Sequence, residues 1–188
     1  MIISFAGNAG SGKSTVAEKI ADALGWPRYY MGGLRRDRAR ELGMTLEEYN
    51  RLGENDSKTD NEVDEYQAEL AQKEDNFIIE GRTSWYFIPL SFKIFVDVDP
   101  VVGAERILEA LQTKNNRNES RDEIISIEEM VKKNEERRKS DILRYQKYYN
   151  IDCYDRNNFD FIIDTTTLTP EETFTIVYNK ILAKIGKK

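Results

Sequence analysis

The chain has 188 residues, carries 28 Lys and Arg against 34 Asp and Glu for a formal charge of −6, and contains no His and one Cys. That length suits a single domain with a real core, and the acidic balance argues against a general nucleic-acid binder, which needs a basic face. The lack of histidine excludes Ser-His-Asp and Cys-His catalysis and His-built zinc sites, while the lone Cys153 excludes an internal disulfide and reads as a passive thiol of a reducing cytoplasm.

In chain order, Met1–Ala6 reads as a short buried strand rather than a signal peptide, and no apolar run approaches the roughly 20 residues of a membrane span. The expectation is a soluble cytoplasmic protein with no membrane partner, a monomer being favoured. Next comes Gly7-Asn8-Ala9-Gly10-Ser11-Gly12-Lys13-Ser14-Thr15, the phosphate-binding loop pattern of a Gly, four residues, then Gly-Lys-Ser. Thr15–Leu24 follows as a helix with Val16, Ile20 and Leu24 on one face and Gly25 at its end. Strand, glycine loop and helix is the context this pattern requires.

Pro27–Met31 reads as a second strand stopped by Gly32-Gly33, then Leu34–Leu42 as a helix bearing Arg35, Arg36, Arg38 and Arg40. A capping box at Thr45–Glu48 opens a short helix with Leu46, Tyr49 and Leu52 inward, and a helix over Asp60–Lys73 has Val63, Tyr66 and Leu70 as its apolar stripe. Asn76–Arg82 and Lys93–Val98 are strands. Asp99 and Pro100 start a helix carrying Val101, Ala104, Leu108 and Leu111, and Gln112–Ser120 is the most polar stretch. A long charged helix spans Ile127–Tyr149, Asp160–Asp164 is the fifth strand, and the Thr169–Glu172 capping box opens a last helix with Phe174, Val177, Tyr178, Ile181, Leu182 and Ile185 inward. Strands separated by helices predict an α/β domain, a five-stranded parallel sheet covered on both faces, with ligands at the carboxyl ends of the strands.

The loop chemistry specifies a nucleoside triphosphate. Glycines let the backbone close around an anion, and successive N–H groups meet a helix N-terminus worth about half a positive charge. Lys13 is expected along the β- and γ-phosphates and the Ser14 hydroxyl on Mg²⁺, with ATP held by Gly7 through Thr15. Transfer of a phosphoryl group to a phosphate acceptor further requires arginines, whose planar forks stay charged when desolvated. Arg36 and Arg82 follow the second and third strands, and Arg137, Asp141 and Arg144 share one helix face at i, i+4 and i+7. That face also fits a solvated stripe of Arg–Asp pairs. Glu80 and Asp97, at strand ends, read either as holders of magnesium-bound water or as helix caps, and Tyr145, Tyr148 and Tyr149 as packing rather than base stacking.

Taken together, the phosphate loop, Met31–Arg36, Ile79-Glu80-Gly81-Arg82, Lys93–Asp97 with Arg106 downstream, Arg137…Asp141…Arg144-Tyr145 and Asp164–Leu168 resemble the nucleoside monophosphate kinases. Within them the chain is most similar to the cytidylate (CMP/dCMP) kinases, in their compact archaeal-type branch. The resemblance implies a three-layer P-loop fold whose core covers about 1–31, 76–111 and 158–188, with acceptor-binding helices over about 32–75 and a lid and arginine helix over about 112–150. It implies transfer of the ATP γ-phosphate to CMP or dCMP, Mg²⁺ as cofactor and no nucleic-acid partner. Arg36, Arg82 and Arg144 would grip the acceptor phosphate, and Arg137 and Asp141 the acceptor sugar or the phosphate in transfer. Arg106 and Gln112–Ser120 would belong to the lid, with Lys13, Arg106 and Arg137 acting at the transferred group. Two rival expectations remain, a P-loop kinase for another nucleotide or metabolite and a nucleotide-binding regulatory module. Thr83-Ser84-Trp85-Tyr86 departs from the bacterial continuation after Arg82, and no residue that reads the base is assigned.

Overall fold

A computed structural model of the protein describes residues 1–113 and 126–186. Five strands, β1 (Ile3–Gly7), β2 (Arg28–Tyr30), β3 (Ile78–Glu80), β4 (Phe92–Asp97) and β5 (Phe161–Asp164), form one sheet in the order β2-β3-β1-β4-β5. Every pairing is parallel, with Phe5 opposite Glu80 and Ile94, and Tyr30 opposite Glu80. The central strand β1 thus has β3 on one side and β4 on the other, and the ligand crevice of such sheets opens at that divide.

The inner strands β1, β3 and β4 are buried on both faces, which is why they read as apolar runs, whereas the edge strands β2 and β5 are partly exposed. Ile3, Phe5, Ile78, Ile94, Val96 and Ile163 pack under α1 (Lys13–Leu24) and the last helix, Pro170–Ile185. On the opposite face Phe77 and Ile79 meet α2 (Met31–Glu41) and a helix over Lys58–Lys73, whereas Ala6 and Phe95 meet Trp85, Tyr145 and Tyr154. The remaining elements are α3 (Leu46–Gly53), α4 (Lys58–Lys73), α5 (Ser84–Phe87), α6 (Pro100–Thr113), α7 (Ile127–Tyr149) and α8 (Pro170–Ile185). Thr45, Ser126 and Thr169 each form a complete capping box, and Asp99 caps α6 by accepting from the Val101 and Val102 N–H groups.

Several local expectations are corrected. Gly32 and Gly33 do not stop β2; they lie in the first turn of α2, where the Tyr30 ring folds back and a Cβ on either would stand 2.8–2.9 Å from it. Leu52, Tyr66, Val101 and Leu182 are exposed, and the helices turn other residues inward: Asn50 and Gly53 in α3, Asp60, Asp64 and Gln67 in α4, Ile107 in α6. Of the expected polar stretch Gln112–Ser120, residues 114–120 lie outside the described residues.

Candidate active site

The loop between β1 and α1 is built around two left-handed glycines, Gly10 at φ 76° and Gly12 at φ 76°. It is pressed from behind by the first turn of α6: a Cβ on Gly10 would sit 2.0 Å from the Gly103 carbonyl oxygen, and one on Gly103 2.7 Å from that of Ala9. The Asn8 N–H donates to Val96 O at 3.1 Å, and the Thr165 hydroxyl lies 3.0 Å from the Ser11 carbonyl, so β4 and the turn after β5 fix the loop's two flanks. The first turn of α1 has no side-chain cap and no acidic residue, which leaves its amide donors for an anion.

Glu80, at the end of β3, is fully buried against this loop. It accepts from Lys13 Nζ at 2.9 Å and from Arg28 Nε at 2.6 Å. Burial would raise its pKa, but the Lys13 and Arg28 cations and hydrogen bonds from Lys13 and Ser14 outweigh that and hold it below the usual carboxylate value. Asp97, at the end of β4, instead accepts from Asn8, its neighbouring Val98 N–H and Arg156, the behaviour of a structural anchor.

A single cavity runs from Gly10–Thr15 past Tyr30, Glu80 and Gly81 to α2, α4 and α7. Arg36, Arg82 and Arg137 line it together. Arg36 Nη1 donates to the Tyr30 hydroxyl at 2.6 Å and to Gly32 O at 3.2 Å, and Arg82 Nε donates to Asp141 Oδ2 at 3.0 Å while Nη1 reaches Gly7 O. Arg137 makes no ion pair among the described residues, and the Nε groups of Arg36 and Arg137 are buried without partners. Burial and the Arg82 and Arg36 cations depress the Arg137 pKa, with Asp141 opposing them. Burial would raise the Tyr30 phenol, yet the Arg36 and Lys13 cations carry it below its ordinary value. Like charges have been gathered around a hollow, and an anion is what would settle them.

Arg144 is placed differently from its expected role. It is fully buried behind the cavity wall, paired with Asp60 and Asp141, and does not line the hollow. At i+7 from Arg137 it has the expected direction but lies one layer deeper, at a point where α3 and α4 cover α7. Arg106 is likewise off the cavity lining: its guanidinium donates to the carbonyls of Thr165 at 2.8 Å and Leu168 at 3.3 Å and so ties α6 to the turn after β5. The tyrosines divide as packing groups: Tyr145 stacks on Tyr149, and Tyr148 donates to Gly53 O at 2.7 Å.

The wall also contains residues not anticipated as site groups: Arg35, Asn50, Asp60, Asp64, Gln67 and Thr83. Asp60, Asp64 and Gln67 fall at i, i+4 and i+7 of α4, a polar stripe beside Val63 and Leu70 that could have been read in the sequence.

Comparison with known proteins follows this geometry. Residues 2–167 match the cytidylate kinase-like family. Similar curated proteins are a cytidylate kinase of Natronomonas pharaonis, 34% identical over 97% of this chain and 90% of its own, and one of Pyrococcus furiosus, 38% identical over 94% and 86%. Among solved structures, a shikimate kinase from Bacteroides thetaiotaomicron covers 96% of this chain and 98% of its own with TM-score 0.63 at 14% identity, a likeness of fold. The match across most of the chain, with relatives above 30% identity over nearly its whole length, makes this protein a member of the cytidylate kinase-like family.

Proposed function

We propose that the protein transfers the γ-phosphoryl group of ATP to CMP or dCMP, giving ADP and the nucleoside diphosphate. The observation that carries the reading is the convergence of Arg36, Arg82 and Arg137 on one cavity that also holds the Lys13 loop. A donor triphosphate at the loop and an acceptor monophosphate at the guanidiniums face each other across that cavity, the arrangement in-line transfer needs.

The Gly10–Thr15 amides and Lys13 bind the donor phosphates; Lys13 leaves Glu80 for them, exchanging a carboxylate for a phosphate oxygen. Arg36, Arg82 and Arg137 neutralise the acceptor phosphate and the equatorial oxygens that gain charge as the bond to the β-phosphate breaks. No general base is required, because an acceptor phosphate oxygen is already a nucleophile. The Ser14 hydroxyl beside the Glu80 carboxylate is a hard oxygen pair that would suit Mg²⁺, which would offset donor charge when bound. In this reading the core is about 1–31, 76–111 and 158–188, the acceptor helices lie over about 32–75, and Arg144 and Arg106 act as braces.

The test is ADP release with CMP, dCMP, UMP, AMP, GMP and a panel of phosphorylatable metabolites. Fastest turnover with CMP or dCMP is expected, and Lys13→Ala should lower kcat by at least about a thousandfold. Equal rates for every nucleotide would overturn the acceptor, and ATP binding without acceptor-stimulated turnover would overturn the kinase reading.

A further inference from the structure

Arg82 and Arg137 are held on one cavity against their own repulsion: after burial, the Arg82 cation is the largest influence lowering the Arg137 pKa. Something must fix Arg82 in that place. Its Nε donates to Asp141 Oδ2 at 3.0 Å and its Nη1 to Gly7 O, which leaves both Nη2 hydrogens for a phosphate oxygen. A third contact comes from a residue that does not line the cavity. Arg82 Cζ lies 5.0 Å from the centroid of the Tyr154 ring.

Tyr154 is itself firmly seated. It follows α7, which ends at Asn150 in the left-handed region (φ 55°), and the chain then returns along the helix it has just left. The Tyr154 N–H donates to Asp152 Oδ1 at 2.8 Å, and the ring is buried with Ala6, Trp85, Phe95, Tyr145 and Cys153. Its hydroxyl donates to Asp141 Oδ2 at 3.0 Å, the same oxygen that accepts from Arg82 Nε. Burial pushes the phenol well above its ordinary value against the opposing Arg82 cation, so the hydroxyl keeps its proton and stays a donor. Arg138 Cζ lies 4.7 Å from the same ring. Successive helix residues point about 100° apart, so α7 is gripped at Arg138 while its neighbour Arg137 faces the cavity.

We infer that Tyr154 is a positioning residue of the transfer site, its ring face holding the Arg82 guanidinium in register with Arg137 of α7. The inference rests on the proposed phosphoryl transfer and adds to it a residue outside the cavity lining.

The chemistry of the ring suits this task better than a further acid would. A second carboxylate beside Arg82 would cancel its charge and compete with the incoming phosphate for the Nη2 hydrogens. A π-face attracts the cation yet occupies none of its N–H donors. The guanidinium is thereby fixed while its free end stays available, and one ring serves an arginine of the β3 end and an arginine of α7 together.

The experiment uses the full chain with ATP and CMP and alters the ring at nearly constant shape. Tyr154→Phe keeps the π-face and should retain kcat to within about threefold. Trifluorophenylalanine introduced at position 154 has almost the volume of Phe but an electron-poor face. It should lower kcat about tenfold below the Phe protein, with the KM for ATP little changed. In an Arg82→Met background the same exchange should cost less than about twofold, because the cation it acts on is gone. Should Tyr154→Phe not fold, trifluorotyrosine against the natural residue, which keeps the hydroxyl, makes the same comparison. A ring that only fills the core would leave kcat equal in the fluorinated and unfluorinated proteins. That result, or an undiminished loss in the Arg82→Met background, overturns the inference while leaving the kinase intact. No turnover of the unaltered protein with any acceptor overturns the transfer reading and this inference with it.

Discussion

Asp64 offers a stability measurement whose sign and size follow from its surroundings. Burial, aided by the neighbouring Asp60 carboxylate, raises its pKa from 3.8 to about 6 against the opposing hydrogen bonds from Tyr149 and Thr83 and the Arg35 cation. The folded protein therefore retains a proton that the unfolded chain releases between pH about 4 and about 6. Stability must fall as pH rises through that window, and the full penalty is present above it. At about 1.4 kcal/mol per pK unit, the two-unit displacement amounts to about 3 kcal/mol. Asp64→Asn has no charge to bury, and its amide can meet the Thr83 and Tyr149 hydroxyls, which donate or accept. Urea unfolding followed by Trp26 and Trp85 fluorescence at pH 4, 5, 6 and 7 gives the comparison. The difference between the two proteins should move in favour of the Asn variant by about 3 kcal/mol from pH 4 to pH 7, other carboxylates cancelling because both proteins share them. A difference that stays level across the series would refute the claim that this carboxylate is ionised at a desolvated site.

Three further outcomes are expected. Arg137→Met should lower kcat at least about thirtyfold, as removal of a charged donor from a transition state does; because it relieves repulsion from Arg36 and Arg82, its thermal midpoint without ligand should not fall, and a lower midpoint with normal kcat would reverse the assignment. Gly10→Ala should destabilise the loop by about 2–3 kcal/mol and abolish ATP binding by calorimetry, since its Cβ would meet backbone, not a yielding side chain, and the left-handed φ adds strain. Cys153, buried and with its thiol pKa raised by burial and Asp141, should not react with a thiol reagent such as DTNB in native buffer and should titrate once in urea; prompt native labelling would show that the α7–Tyr154 region opens.

What was legible in the sequence was what is decided locally. The glycine loop, the three capping boxes, the end of β3 at Glu80-Gly81-Arg82 and the span of α7 each rest on neighbouring residues. What was not legible depended on how helices roll against one another. Tyr66 was expected inward on α4 because it continues an apolar spacing, yet the helix turns Asp60, Asp64 and Gln67 toward the cavity and leaves Tyr66 outside. Arg144 shares a face with Arg137, but depth below the surface is set by α3 and α4, which a helical wheel of α7 does not contain. Arg106 is held by carbonyls some sixty positions later in the chain. Gly103 offered no motif at all: its lack of a side chain matters because the Ala9 carbonyl rests on it.

The contrast between a net charge of −6 and a cavity whose Lys13, Arg35, Arg36, Arg82 and Arg137 outnumber the carboxylates of Asp60, Asp64, Glu80 and Asp141 has a kinetic consequence. At long range an approaching nucleotide meets a repelling field; attraction begins only at the mouth, within the ~10 Å over which ions screen at 0.1 M salt. Capture should therefore owe little to steering, and added salt, by damping the outer repulsion before it reaches the enclosed cations, should quicken encounter at low ionic strength instead of slowing it.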